Sequence, residues 1–307
     1  MLPSSPNVHR QPFAPLRWLH NASHNVRQSI KERFTPAATA IPARWHKAVS
    51  FVPTDQVCLM VTVLRDGRVL PHAAHQARAW SAEGFKVVLI VVTDDPNRSF
   101  SDPVVAFADG ILLRANSGYD FGAWSAAIQS LPTLRDVALL VTTNDSVFGP
   151  LDSFKPVLDR VADSEADFLA LTENNEHRHH FQSYTLFYKP KALRSRAFWS
   201  FWSRVRTGGR WLVIVRYESR LLKLFKAAGL SAEALFPGMA AQDPSTLKGW
   251  KALIERGFPF VKVQLLRDNP FGDDVQDWRG FLQAHGYDPA LCDPVLPNGA
   301  ALTRWSS

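Results

Sequence analysis

From residue 55 onward, short apolar runs alternate with longer stretches of mixed polarity. Val57-Cys-Leu-Met-Val-Thr-Val-Leu64 and Lys86-Val-Val-Leu-Ile-Val-Val-Thr93 are nearly unbroken apolar runs, as strands buried on both faces should be. Gly110-Ile-Leu-Leu-Arg114, Val137-Ala-Leu-Leu-Val-Thr142, Asp167-Phe-Leu-Ala-Leu-Thr172 and Ser183-Tyr-Thr-Leu-Phe-Tyr188 repeat the pattern. Between them, helices are predicted from Leu70 to a stop at Gly84, from Phe121 to Leu131 just before Pro132, and from Ser153 to Asp163. Strand–helix alternation of this kind predicts an α/β domain with a Rossmann-like, mostly parallel sheet and helices on both faces. Ligands of such sheets sit outside the carboxyl ends of the strands, so the polar residues closing each run are the candidates for chemistry.

Beyond residue 189 the pattern predicts helices over 194–205, 214–228 and 250–256, with a strand-like run from Phe258 to Arg267. The rest of 230–307 is less regular and ends in a Pro-rich stretch. Residues 1–50 are rich in Pro, Ser, His and Arg and read as an extension. The expected organisation is therefore an extension over 1–54, a domain over 55–275, and a tail over 276–307 that packs on or trails the domain.

Charge sharpens this picture. The chain of 307 residues carries a net charge of +7, distributed as +6 over residues 1–50, +10 over 189–226 and −9 elsewhere. In 189–226, Glu218 is the only acid among eleven cations. Such asymmetry points to anionic partners: lipid surfaces, pyrophosphate or nucleic acid. No zinc finger, RNP motif or other nucleic-acid module is present, so nucleic acid ranks last. A solvated basic face is the plain alternative. No apolar run approaches the roughly 18 residues of a membrane span, and the first residues lack the apolar core of a secretory signal. Cys58 and Cys292 form no disulfide framework or metal spacing, so a cytoplasmic setting is expected, with peripheral contact at the inner face of the membrane as an extension of it.

Two polar blocks stand at strand ends. Arg114-Ala-Asn-Ser-Gly-Tyr-Asp-Phe-Gly-Ala-Trp124 packs a cation, an amide, a carboxylate and two glycines into one turn, and Leu139-Leu-Val-Thr-Thr-Asn-Asp-Ser-Val-Phe-Gly-Pro150 ends an apolar run on Asn144-Asp145. Together they suggest a sugar-nucleotide site on an α/β sheet.

Gly118-Tyr-Asp-Phe-Gly-Ala-Trp124, Asn144-Asp-Ser146 with Gly149-Pro150, His180-Phe-Gln-Ser-Tyr184 and Gly257-Phe-Pro-Phe-Val-Lys-Val263 resemble the rhamnan synthesis F family. That family is grouped with glycosyltransferases of bacterial cell-surface rhamnose polysaccharides. The resemblance runs from about residue 55 to 270. More distantly, the region is similar to the inverting GT-A transferases of glycosyltransferase family 2. The resemblance implies a GT-A-like fold, a dTDP-L-rhamnose donor, a lipid-linked glycan acceptor of an O-antigen, capsule or rhamnan, and a divalent cation, Mg²⁺ or Mn²⁺. The alternatives are another nucleotide sugar on the same fold, or a non-catalytic assembly or carbohydrate-binding protein.

Roles follow residue by residue, each beside an ordinary structural reading. Asp145 is the expected metal ligand, since hard cations take oxygen donors and stabilise a departing diphosphate. The alternative is an Asx turn. The GT-A pattern has two carboxylates, whereas Thr143-Asn144-Asp145 supplies one. Arg114, Asn116, Gly118, Asp120 and Asn144 are assigned to the donor, or to a structural turn with Asp120 as N-cap. By the GT-A similarity, Thr62 and the pair Asp94–Asp95 also face the donor, against turn chemistry before Pro96. Glu218 is the candidate base for the acceptor hydroxyl, with Asp243 and Glu173 in reserve; a salt bridge to Arg216 or Arg220 is the competing reading. His180, Gln182 and Tyr184 are assigned to the acceptor. Lys262 is assigned to the donor diphosphate, or to the surface of an edge strand together with Arg267. Phe201, Trp199 and Trp202 read as core rather than sugar platform.

Overall fold

The apolar runs become the interior of one sheet. The structure, a computed structural model, describes residues 35–175, 179–209, 213–238 and 246–296. The chain divides into two units, 1–36 and 37–307; all described residues except Thr35 and Pro36 belong to the second. Residues 1–34 of the expected extension, and Asp243, lie outside the described residues.

The strands are β1 (Ala43–Lys47), β2 (Gln56–Arg65), β3 (Arg68–Val69), β4 (Lys86–Thr93), β5 (Gly110–Ala115), β6 (Leu139–Asn144), β7 (Val147–Phe148), β8 (Phe168–Asn174), β9 (His180–Phe181), β10 (Thr185–Tyr188), β11 (Ala232–Phe236) and β12 (Val261–Lys262). The main sheet runs β1-β5-β4-β2-β6-β10-β8-β11. The ladders β5–β4, β4–β2, β2–β6 and β8–β11 are parallel. Strand β10 lies antiparallel to both β6 and β8, and β1 is antiparallel to β5. This is the expected α/β architecture, a mostly parallel sheet flanked by helices, consistent with a Rossmann-like fold of the GT-A kind.

Successive strand residues point to opposite faces, and so build two cores. Cys58, Met60, Val87, Leu89 and Val91 pack with Ala73, Ala77 and Trp80 of helix α1 (Pro71–Ala82). Val57, Leu59, Val61, Val88 and Ile90 face Phe121 and Trp124 of helix α2 (Tyr119–Ser130). On the first face Trp80 stacks at 3.8 Å on Phe154, just before helix α3 (Lys155–Asp163). On the second, the Trp124 indole donates to the Leu59 carbonyl at 3.2 Å.

Several expectations change. The stretch 37–54, assigned from sequence to the extension, supplies β1, and Val49 packs where a side chain at Gly110 would stand, 2.7 Å from its Cβ position. The less regular stretch after 230 contains β11, a sheet member. The helix predicted over 194–205 is two helices, α4 (Pro190–Arg194) and α5 (Arg196–Ser203), because Ser195 breaks the chain and accepts from the Phe198 N–H at 3.1 Å as N-cap. The helix predicted from Ile214 opens with a π-helical turn, Ile214–Glu218, before α6 (Ser219–Ala227). After α7 (Trp250–Glu255), the strand-like run is strand for only Val261–Lys262 and then helix α8 (Val263–Asp268). Helix α9 (Trp278–Ala284) follows. Leu282, Tyr287 and Cys292, from the predicted tail, join the first core.

Candidate functional site

Residue Asp145 follows the carboxyl end of β6, the central position predicted for a ligand. Its Oδ2 accepts two hydrogen bonds from the neighbouring strand, from Thr62 Oγ1 and the Val63 N–H, both at 2.9 Å. Its backbone carbonyl accepts from His72 Nε2 at 2.9 Å. Helix α1 thus fixes the backbone and β2 fixes the side chain, leaving Oδ1 with no hydrogen bond among the described residues. Asn144 forms an Asx turn, its Oδ1 accepting from the Ser146 N–H at 3.1 Å and the Ser146 hydroxyl at 2.6 Å. The same Asn144 donates its Nδ2–H to Asp120 Oδ2 at 2.7 Å. One amide therefore ties the two sequence blocks together.

Asp120 lies in the first turn of α2, but the N-cap is Gly118, in the left-handed region at φ +80°. The capping reading of Asp120 is thereby replaced: its carboxylate turns to Asn144. Burial, and next the charge of Asp145, push its carboxyl up to about 6. Glu218 adds to the rise, while Lys262 opposes it. Lys262 reaches this cluster because β12 pairs with β7, Lys262 opposite Val147, immediately after Asn144-Asp145-Ser146. The Val263 N–H donates to the Ser146 carbonyl at 3.0 Å. The Lys262 ammonium sits 3.4 Å from the centre of the Tyr184 ring, a cation–π contact. Burial pulls it down to about 7, against the raising effect of Glu218 and Asp120. Lys262 is partly buried on this short ladder, its head against the Tyr184 ring, whereas Arg267 pairs with neighbouring Asp268 at 2.8 Å.

Glu218 ends the π-helical turn. Its Oε1 accepts from the Ser183 N–H at 2.9 Å and the Ser183 hydroxyl at 3.0 Å, and no ion pair to Arg220 forms among the described residues. Next to Ser183, Tyr184 is buried, and its hydroxyl shares a 2.6 Å hydrogen bond with Thr172. The Thr172 hydroxyl also reaches Gln182 Oε1 at 2.6 Å. Gln182 and Tyr184 therefore shape the wall near Glu218, and Tyr184 offers its ring to Lys262. His180 lies on β9, beside Asn174.

Other expected donor residues lie apart from the cluster or inside the protein. Arg114 is fully buried. It donates to the carbonyls of Ala115, Ser117 and Ala38 at 3.2, 2.6 and 3.3 Å. Burial holds its guanidinium down to about 10. The forked donor expected to meet a phosphate instead ties the 114–118 turn to residue 38. Asp94, Asp95 and Asn116 are exposed, and Asp95 Oδ1 accepts from the Asn97 N–H at 2.9 Å, as turn chemistry requires. Trp202 and Phe201 are core, as expected. Sequence reasoning missed His72 and Gln76, and gave Ser146 and Ser183 no role of their own although both stand in the motifs. The Gln76 amide donates to the Thr143 hydroxyl at 3.0 Å, steadying the same strand end.

Among the described residues, no group of three or more His, Cys, Asp or Glu side chains is arranged to hold a metal ion. The donor set suits another mode. Mg²⁺ is commonly held by one or two carboxylates plus substrate phosphates. Asp145 and Asp120 are close enough for the charge on one to raise the pKa of the other, a repulsion that a cation relieves.

A model of the family described as rhamnan synthesis protein F matches residues 88–279. That span contains Asp120, Asn144, Asp145, Ser183, Glu218 and Lys262. Over 200 residues the chain is 28% identical to virulence protein VirA of Vibrio anguillarum, covering 53% of this chain and 64% of that protein. It is also 28% identical over 218 residues to the uncharacterized protein y4gN of Sinorhizobium fredii, covering 67% of this chain and 50% of that one. The matches thus span less than two thirds of the length of either relative.

Proposed function

Since the chain belongs to the rhamnan synthesis protein F family, we propose that it is a glycosyltransferase of polysaccharide synthesis, moving L-rhamnose from dTDP-L-rhamnose to a lipid-linked bacterial surface glycan with inversion. The observation that carries this reading is the convergence of Asp120, Asn144, Asp145, Glu218 and Lys262 at the carboxyl edge of a mostly parallel sheet. The rhamnose rests on the family and the nucleotide on the GT-A resemblance; the side chains themselves argue for a diphosphate-bearing donor.

In this reading the acceptor hydroxyl oxygen attacks the anomeric carbon. The bond from that carbon to the diphosphate oxygen breaks, and its electron pair leaves with the nucleoside diphosphate. The acceptor proton passes to Glu218. Ser183 orients that carboxylate through Oε1, leaving Oε2 for the proton. The Lys262 ammonium faces the departing phosphates. Asp145 and Asp120 would hold Mg²⁺ or Mn²⁺ together with phosphate oxygens, and the cation would supply charge neutralisation at the leaving group. Thr62 acts on the donor only through Asp145.

Calorimetry with dTDP, UDP and GDP, each with and without Mn²⁺, tests the site. We expect Mn²⁺-dependent binding of dTDP that Asp145→Ala weakens at least roughly tenfold, about 1.4 kcal/mol. Preference for UDP or GDP would keep the transferase and discard the rhamnose. A folded protein that binds none of the three would sink the donor site.

A further inference from the structure

In the basic segment 189–226, Lys191 pairs with Asp167 and Arg194 with Asp136, but the cations of the helices that follow are placed differently. Helices α5 and α6 pack on each other through rings, with Phe198 and Phe201 at 6.5 and 6.3 Å from Phe225. Their inward residues, Phe198, Phe201, Trp202, Leu221, Leu222 and Phe225, belong to the second core. Their outward residues are different in kind. Arg196, Arg204, Arg220, Lys223 and Lys226 are exposed, and among the described residues no carboxylate pairs with any of them. Leu224, one turn after Arg220, is 46% exposed, and Ile214 in the preceding turn is 37% exposed. Cations around protruding aliphatic groups are the composition that binds at a lipid interface: the charges meet headgroups and the aliphatic groups enter the acyl boundary.

The face also has a defined relation to the site. Glu218 ends the turn that leads into α6 and points inward to Ser183. Tyr217 anchors that turn, its ring 5.7 Å from Phe121 and its hydroxyl accepting from the Arg206 N–H at 2.8 Å. One continuous helical stretch therefore carries the candidate base on its inner side and the exposed Arg220, Lys223 and Lys226 with Leu224 away from the core.

We propose that the outward face of α5 and of the stretch 214–227 docks on an anionic lipid surface, so that the same helix that holds Glu218 sets its height above the membrane. This rests on the transferase reading for the choice of Glu218 as base, but the docking itself does not. It implies that the acceptor enters from the α5–α6 side with its lipid portion still in the bilayer.

Sedimentation of the full chain with phosphatidylglycerol-rich vesicles, against phosphatidylcholine alone, tests the face. The expected result is binding to the anionic vesicles only, weakened by added salt. Changing Arg220, Lys223 and Lys226 together to Glu should weaken it by roughly a hundredfold. The Gln version, which spares α6 the added like charge, should weaken it less, and Leu224→Ser should weaken it severalfold at unchanged salt dependence. All three variants should keep nucleotide binding and thermal stability, which separates failure of docking from failure of the donor site. Vesicle binding by the Glu and Gln variants equal to the unaltered protein would overturn the proposal, as would no vesicle binding at all. Tighter binding to an oligonucleotide than to the vesicles, lost in the same variants, would assign the face to nucleic acid instead.

Discussion

Lys262 and Asp120 are the residues whose surroundings most alter their chemistry, and they move in opposite directions. Burial pulls Lys262 down to about 7 and pushes Asp120 up to about 6. Between those values both are charged. In the proposed donor site, Lys262 would lose above about 7 the proton that faces the diphosphate, and Asp120 would gain below about 6 a proton that competes with the cation. Nucleotide affinity should therefore peak between the two, with the alkaline fall due to Lys262. Calorimetry across pH should find Lys262→Met roughly tenfold weaker near the peak, and flat where the unaltered protein declines. Retention of the alkaline fall in that variant would remove Lys262 from the diphosphate. Stability carries its own signature. Above about 7 the unfolded chain still holds the lysine proton that the folded one has released, so this group makes folding more favourable as pH rises towards 10.5. Asp120 acts the other way: from its ordinary 3.8 to about 6, the folded state holds the extra proton and stability falls as pH rises. Sequence exposed these residues unequally. Asn144, Asp145 and Asp120 were legible as polar residues closing apolar runs. Arg114 was legible as a cation in a turn but not as a buried one, because a guanidinium beside glycines looks the same whether its donors face phosphates or carbonyls.

Helix α1 shows what lies between a residue and its position. His72 and Gln76 are one turn apart and so share a face. Both are buried, one donating to the Asp145 carbonyl at 2.9 Å and the other to the Thr143 hydroxyl at 3.0 Å. Burial lowers the His72 pKa, and the carbonyl contact assigns the proton of the neutral ring to Nε2. Its ring also meets Phe148 edge-on at 5.2 Å. His72→Phe would keep the ring contact and delete the donor, whereas His72→Gln can restore it. A hydrogen bond of this kind is worth about 1 kcal/mol, so a thermal melt alone would distinguish the two poorly. Nucleotide affinity should: a severalfold loss for Phe, and recovery towards the unaltered value for Gln. Equal affinity in both would reduce His72 to a packing residue. The helix was readable from its spacing and its glycine stop. Its task was not, because both partners lie about seventy residues away and leave no local trace. The same limit hid the β7–β12 ladder. Two residues a side give no periodicity, and the strand-like Phe258–Arg267 turned helical after Lys262 once Val263 had bonded to Ser146.

At the scale of the whole molecule, the parallel sheet was the most legible feature, since each buried strand announces itself by an apolar run of strand length. Its boundary was the least. Strand β1 reads Ala-Arg-Trp-His-Lys, too polar to resemble the central strands, because it covers an edge and one of its sides meets water. Yet it closes the sheet. It pairs with β5 from Ala43 opposite Arg114 to Lys47 opposite Ile111. Arg44 reaches the carbonyls of Pro96 and Arg98 at 3.2 and 3.1 Å, and Lys47 those of Val105 and Ala108 at 3.3 and 2.7 Å. Just before it, the Ala38 carbonyl accepts from Arg114, so this segment also braces the turn that presents Asp120. Two shortened chains separate the boundaries. A chain beginning at Ala37 retains β1 and both cores and is the reference for the shorter one. One beginning at Asp55, where the apolar runs suggest the domain starts, would bare the β5 edge and leave the buried guanidinium short of an acceptor, a defect of about 1–3 kcal/mol before any strand pairing is counted. It should melt several degrees lower and self-associate on gel filtration through that open edge. Equal melting of the two chains would mean that β1 is an ornament of the sheet, and that the Asp120 turn holds its shape through Ser117 and Ala115 alone.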